Sequence, residues 1–502
     1  MSNPLYDALF GKYASAETIF ITTTDGRDIT HRSFLSTSAR FANVFANAGL
    51  NKGDRVVVQV EKSVEALCIY AACVQSGLVF LPLNTAYTQR EVRYFAEDSG
   101  AGLIICDTCR QEGLQPIARD ISALLMTLNA DGSGSLADLS LAQESEFNTV
   151  EAHGEDLAAF LYTSGTTGRS KGAMLSQNNL LSNARTLTEY WEFTSKDVLL
   201  HALPIFHTHG LFVATNIVLI SGASMIMMPK FDVKAMLKKL PDATCLMGVP
   251  TFYTRLLAET DFDKDLTREM RLFISGSAPL LAETHFQFEE RTGHRILERY
   301  GMTETNMNTS NPYRGERRAG TVGFPLPGVE LKIVSPESGI EVQRGETGMI
   351  EVKGPNIFKG YWNMPEKTKA ELREDGFFIT GDLGKIDEDG YVHIIGRDKD
   401  LIISGGFNIY PKEIESILDK QGGVLESAVI GVPHADFGET PVAILVRQPD
   451  QEPDPDTILK HIARELARFK HPGKLIVVDE LPRNTMGKVQ KNQLREQYKD
   501  LF

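Results

Sequence analysis

"YTSGTTGRSKG", Tyr162–Gly172, packs three glycines and two cations into a run of serines and threonines. Such a segment buries almost nothing, so it is not there to build a core. Glycine backbones approach a ligand closely and take positive φ without strain. Successive N–H groups in a turn of this kind form an anion-binding concavity. Ser164, Thr166 and Thr167 add hydroxyl donors, and Lys171 adds a charge. The run before it, "DLAAFLYTS", reads as a buried strand, so the loop leaves the end of a strand. Together these features point to phosphate. The Walker pattern is not met, because counting from Gly165 its second glycine is replaced by Ser170. The competing reading is a flexible surface loop.

Outward from the loop, apolar runs recur: "DRVVVQV", "GLIICD", "DVLLHALPI", "GASMIMMP", "ATCLMGVP" and "RLFISGSA". Each reads as a buried strand with a helix or turn pattern nearby. "SVEALCIYAACVQSG" carries apolar residues at helical spacing and stops on a glycine. Strands alternating with helices predict an α/β fold with parallel sheets. From about Gly320 the texture changes to short strands between glycines, "GVELKIV", "GMIEVKG" and "GYVHIIG", which predict a small antiparallel sheet or barrel. A further α/β texture follows Arg397, with "PKEIESILDK" and "DTILKHIARELARF" as helices and "ESAVIGVP" and "PVAILVR" as strands. A boundary is expected near Gly396 to Lys399, dividing the chain into 1–396 and 397–502. "DGSGSLADLS" reads as a surface loop.

The chain of 502 residues is too long for one hydrophobic core. Its net charge of -14 argues against a nucleic-acid partner, which calls for a basic face. No apolar run of about eighteen residues occurs, so no membrane span is expected. The first residues, with Asp7 and Glu17, do not read as a secretory signal. Five cysteines fit a reducing compartment, and a cytoplasmic location is expected. Cys106 and Cys109 form one C-x-x-C, without the second pair or histidine cluster that would complete a metal site.

Five stretches spread over most of the chain carry a family resemblance: "YTSGTTGRSKG", "YGMTET" (Tyr300–Thr305), "ITGDLG" (Ile379–Gly384), "GRDKDLIISGGFNIYPKEIE" (Gly396–Glu415) and "LPRNTMGKVQK" (Leu481–Lys491). They resemble, in order, the motifs of the adenylate-forming superfamily, which includes acyl-CoA synthetases. The resemblance implies a large N-terminal domain of two stacked α/β subdomains plus a small β-barrel, then a smaller, mobile α+β C-terminal domain. It implies two half-reactions. A carboxylate attacks the α-phosphate of ATP in the presence of Mg²⁺ and releases pyrophosphate. The thiol of CoA then attacks the acyl carbon, and AMP leaves.

Residue roles follow from the same resemblance. Thr163, Ser164, Gly165, Thr166, Thr167, Gly168 and Lys171 would hold the phosphates. Glu304 would carry Mg²⁺ with Thr167, and Thr303 would touch the α-phosphate. Tyr300, with Glu298, Arg299, Gly301 and Met302, would lie along the nucleotide. Ser275, Gly276, Ser277, Ala278 and Pro279 would line the purine and the acyl group. Asp382 would accept from both ribose hydroxyls, with Arg397 beside it. Lys488 would stabilise the adenylation transition state, and Lys399 would be the hinge. Ser404, Gly405, Gly406 and Phe407 would line the pantetheine tunnel. Acylation of Lys488 would remove its charge, so a lysine acyltransferase and deacylase are conceivable regulatory partners.

The acid is a separate question. Arg255 falls in the early turns of a helix that follows Pro250. It reads either as an exposed arginine paired with Glu259 at i+4, or as a cation for a second carboxylate on the acyl group. His207 and His209, flanking Thr208, favour a short polar acyl group, with His207 a candidate catalytic residue. "HALPIFHTHGLF", "MGVPTFYTRLL", "RLFISGSAPLL" and "ERYGMTETNMNTSNPY" resemble bacterial malonyl-CoA synthetases. That resemblance implies malonate, with methylmalonate a close competitor. The rivals are a ligase for acetate or a 3-substituted propionate, a peptide-synthetase adenylation domain (though no carrier segment follows residue 502), a luciferase-type oxygenase, and a non-catalytic adenylate-binding protein. No oligomeric state is implied.

Overall fold

The computed structural model describes residues 2–163, 170–404, 407–434, 437–449, 451–466, 468–484 and 487–502. They form two compact units, one of residues 1–330 and 353–378, the other of residues 331–352 and 379–502.

The first unit holds two sheets. One runs Leu124–Thr127, Leu103–Cys106, Arg55–Gln59, Val79–Pro82, Leu157–Thr163, Lys171–Ser176. All of its pairings are parallel except the last, a hairpin in which Thr163 faces Lys171. The other runs Phe324–Pro325, Asn306–Ser310, Leu297–Met302, Leu272–Ser275, Cys245–Gly248, Val198–His201, Ser224–Met227, Ile19–Thr23, Asp28–Thr30. Its middle six strands are parallel and its ends antiparallel. The run "VVVQ" and its neighbours are apolar throughout because helices cover both faces of such sheets. The crossover helix Val64–Ser76 is buried on nearly every side. Ser63 caps it by accepting from the Ala66 N–H, and Gly77 ends it at φ 67°. The expected strands and this helix are therefore all present. "DGSGSLADLS" is not a simple loop: Ser135–Ser140 is a helix, anchored by the fully buried Leu136. Its glycines and serines masked a single apolar anchor.

The second unit contains the expected small sheet, in the order Glu330–Val334, Gly348–Lys353, Phe378–Ile386, Val392–Arg397. Among the described residues it is an open sheet of four strands, not a closed barrel. "ITGDLG" lies within one of these strands rather than in a loop. Beyond it, long antiparallel strands Val424–His434 and Gly438–Arg447 pack against helices Pro411–Leu418 and Pro455–Glu465 around Ile409, Ile414, Val429 and Ile458. No helix of the described residues is long and apolar enough to cross a membrane.

Candidate active site

Ligands of parallel α/β sheets collect at the carboxyl ends of the strands. In the nine-stranded sheet those ends bring Gly248, Ser275 and Glu298 side by side, since Gly248 faces Ser275 and Ser275 faces Glu298 in the register. The next residue, Arg299, is 3 % exposed. Its guanidinium lies on the backbone of Gly276, where an added Cβ would meet Arg299 Cζ at 2.4 Å. Burial lowers its pKa to about 9. Among the described residues neither Nε nor Nη2 has a hydrogen-bond partner.

The same neighbourhood holds other unsatisfied polar atoms: His209 Nε2, Thr208 Oγ1 and Ser275 Oγ. Burial first, and Arg299 second, lower the pKa of His207 to about 4 and that of His209 well below the usual range. His207 Nδ1 accepts from the His209 N–H at 3.4 Å, and Ser277 Oγ lies 3.2 Å from His209 Nδ1. Ser277 holds φ at 70°, a left-handed conformation that a serine adopts only when its surroundings impose it. Buried polar atoms are nearly always paired. A cation and three unpaired polar atoms in one neighbourhood are the mark of a site for a small anionic ligand.

Arg255 is placed differently. It is exposed on the helix Pro250–Leu257, with Cζ 5.8 Å from the centre of the Phe231 ring. No ion pair with Glu259 occurs. Arg299, read from the sequence as a nucleotide contact, has Gly276, His207 and His209, all acyl-group candidates, beside it. Only its burial marks it, and burial at the third residue of a six-residue strand is not visible in one sequence. Glu298 Oε1 accepts from the Gly320 N–H at 3.3 Å and lies 3.7 Å from His285 Nδ1. Pro279 is exposed, and Ala278, Tyr300, Met302 and Thr303 are half-buried. Gly301 is required where it stands, because a Cβ there would fall 1.8 Å from the Asn306 carbonyl oxygen.

A second cluster forms around Glu304, which is 4 % exposed. Thr163 Oγ1 donates to Glu304 Oε1 at 3.3 Å, and the Tyr361 hydroxyl lies 3.0 Å from the same oxygen. Tyr361 also donates to Glu371 Oε2 at 2.7 Å. Lys171 Nζ lies 3.3 Å from that Glu371 oxygen and 4.1 Å above the Tyr361 ring. Burial between two carboxylates pushes the Tyr361 phenol far above its usual pKa. Thr163 and Lys171 of one motif and Glu304 of another thus meet here. Tyr361 and Glu371 were missed, because only the pairing of "KGYW" with the strand Lys171–Ser176 brings them in. A buried carboxylate whose two contacts both fall on Oε1 fits Mg²⁺, a hard cation that takes few protein ligands and keeps its waters. Ser164, Gly165, Thr166, Thr167 and Gly168 lie outside the described residues, as do Gly405 and Gly406.

In the second unit Asp382 is 3 % exposed and pairs with Arg397 across the hairpin, Nε to Oδ1 at 2.7 Å. Lys399 is exposed on the turn Asp398–Asp400. Lys488 follows a turn in which Asn484 Oδ1 accepts from the Lys488 N–H at 2.9 Å. The residue is exposed, yet its amine is crowded. That desolvation, then the Arg397 guanidinium, lower its pKa to about 8, while Asp382 opposes them. Four expected residues, Asp382, Arg397, Lys399 and Lys488, therefore lie within electrostatic reach of one another. Ser404 is nearly buried, and it pairs with Phe407 and Gly438.

Known proteins carry the same architecture. The AMP-binding enzyme family matches residues 11–362, and the AMP-binding enzyme C-terminal domain matches residues 413–488. The chain belongs to the AMP-binding enzyme family. Its relatives include an Arabidopsis thaliana malonate–CoA ligase, 35% identical over 98% of this chain and 88% of that protein. The mitochondrial malonate–CoA ligase ACSF3 of Mus musculus is 33% identical over 88% of this chain and 82% of its own length. Among solved structures, ATP-bound MatB from Rhodopseudomonas palustris matches with a TM-score of 0.98 and 57% identity, covering all of both chains.

Proposed function

We propose that the chain is an ATP-dependent malonate–CoA ligase that works through malonyl-AMP. The observation that carries the choice of acid is Arg299, a buried guanidinium whose Nε and Nη2 have no hydrogen-bond partner among the described residues, set among groups suited to a small anion. Burying an unpaired cation costs several kcal/mol, a cost that a second carboxylate offsets by pairing with it. Acetate or a fatty acid would leave that charge uncompensated. Arg255, on the neighbouring helix, is the second candidate cation.

In the first half-reaction one carboxylate oxygen of malonate bonds to the α-phosphorus of ATP, and the bond to the pyrophosphate oxygen breaks. Thr163 and Lys171 hold the phosphates, and Tyr361 and Glu371 position Glu304 and Lys171. Glu304 would hold Mg²⁺, which when bound would neutralise charge on the phosphates. Thr303 contacts the α-phosphate, and His207 and Ser277 orient the acyl group. Asp382 accepts from the ribose hydroxyls with Arg397 alongside. Lys488 contributes positive charge to the α-phosphate oxygens as pyrophosphate leaves. In the second half-reaction the CoA sulfur bonds to the acyl carbon and the bond to the phosphate oxygen breaks, freeing AMP. Ser404 and Phe407 line the thiol path, and Lys399 is the pivot between residues 1–396 and 397–502. An acyltransferase that modified Lys488 would stop the first half-reaction alone.

The test is pyrophosphate release with acetate, propionate, malonate, methylmalonate and succinate, followed by CoA addition. Malonate is expected to lead by kcat/KM, with methylmalonate next, because one methyl group discriminates weakly. A preference for acetate or propionate overturns the reading.

A further inference from the structure

Lys62 stands in the turn after the strand Arg55–Gln59, where the six-stranded sheet faces the nine-stranded one. Its Nζ lies 3.0 Å from His201 Nδ1, 2.9 Å from the His201 carbonyl oxygen and 2.9 Å from the Leu203 carbonyl oxygen. Three acceptors match the three N–H bonds of an ammonium. No carboxylate among the described residues pairs with it, and burial alone lowers its pKa. A half-buried lysine whose amine is enclosed by three acceptors, with no counter-charge among the described residues, is costly, and apolar side chains would join the two sheets at lower cost.

Its partners explain what the cost secures. His201 ends the strand Val198–His201 and is 1 % exposed. With Nδ1 accepting from Lys62, the ring proton sits on Nε2, which donates to the Gly210 carbonyl oxygen at 2.8 Å. The Thr215 hydroxyl donates to that same oxygen at 2.9 Å. Gly210 belongs to the π-helical turn His209–Thr215, and it packs so tightly that a Cβ would fall 2.0 Å from the Pro204 carbonyl oxygen. Such turns are rare and tend to occur at functional sites. The turn opens with His209, which contacts Ser277 and neighbours Arg299. A continuous path of hydrogen bonds therefore runs from Lys62 through His201 to the turn that presents His207 and His209.

We propose that Lys62 is a positioning residue of the acyl pocket: through His201 it fixes the turn that carries His207 and His209, so that malonate meets a preformed site. This rests on the reading that the acid binds among His207, His209 and Arg299. Lys62 does not touch the acid.

The test compares wild type, Lys62→Met and His201→Asn. Asparagine keeps an acceptor facing Lys62 but cannot reach Gly210. The readouts are KM for malonate, KM for ATP and the rise in melting temperature produced by malonate alone. In both variants the malonate KM should rise about tenfold or more, as for a misplaced orienting group, with the ATP KM within about twofold of wild type. The malonate-induced stabilisation should vanish while that by ATP persists. An equal rise in both KM values, or loss of both stabilisations together, makes Lys62 a simple strut and overturns the proposal. Where Lys62→Met does not fold, His201→Asn decides, and a wild-type malonate KM in it overturns the proposal. If wild-type enzyme releases no pyrophosphate with malonate, the reading beneath the proposal has failed and the proposal falls with it.

Discussion

Gly276 lies beneath Arg299 so closely that a Cβ would fall 2.4 Å from Cζ and 2.6 Å from both Nε and Nη1. The glycine is the seat of the guanidinium. Gly276→Ala should push Arg299 aside and raise the malonate KM about tenfold or more, with propionate turnover changing far less. Steady-state kinetics with both acids checks this, and equal effects on both would detach Arg299 from the acid.

Arg299 and Arg255 are the two candidate cations for a second carboxylate, and paired variants rank them. Arg299→Met should lower malonate kcat/KM by about two to four orders of magnitude, because the desolvated anion loses its partner. Arg255→Ala, at an exposed position, should cost at least about tenfold less. Without ligand, Arg299→Met should melt no lower than wild type, since it removes a buried charge whose Nε and Nη2 are unpaired among the described residues. A larger loss from Arg255→Ala would return the role to that residue.

Arg299 also marks where sequence reading stops. The glycine-rich hairpin, the parallel strands, the helix ending at Gly77 and the later small sheet each announce themselves through local pattern, because period, caps and turns are local physics. Glu304, Lys171 and Thr163 are legible as motif members, and the structure brings them together. Tyr361, Glu371 and Lys62 are not legible, since their meaning lies in partners far away in sequence: Tyr361 meets Glu304 across 57 residues and Lys62 meets His201 across 139. Leu136 hid in a glycine- and serine-rich stretch for the converse reason, a single buried leucine being too little pattern to announce a helix.

His31 makes stability depend on pH in a specific window. Its ring is stacked between Tyr13 at 4.2 Å and Phe20 at 4.9 Å, and Nε2 has no partner among the described residues. Burial, with Lys12 adding to it, lowers its pKa from 6.5 to about 4. Between those values the unfolded chain binds a proton that the folded chain refuses, so stability falls as pH falls through the window. The slope from this one group approaches about 1.4 kcal/mol per pH unit. His207 acts in the same direction. Denaturation midpoints measured from pH 7 to 4 should fall less steeply for His31→Phe, and an unchanged slope would remove His31 from the acid response.

Lys488 ties pH to chemistry rather than to stability. Its pKa of about 8 means that the ammonium is mostly intact at neutral pH and is lost as pH rises. Pyrophosphate exchange should therefore decline above about pH 8, tenfold per unit once the amine is neutral. Lys488→Arg keeps a charge that does not titrate in this range, so it should be slower but free of that alkaline decline. Lys488→Ala should slow adenylation by about two to four orders of magnitude, comparable with losing an oxyanion donor. Synthetic malonyl-AMP should still react with CoA at close to the wild-type rate in that variant, because the departing AMP needs no charge from Lys488. Losing both half-reactions together would make Lys488 a structural or CoA-binding residue. An alkaline limb that persists in Lys488→Arg would assign the titration to another group.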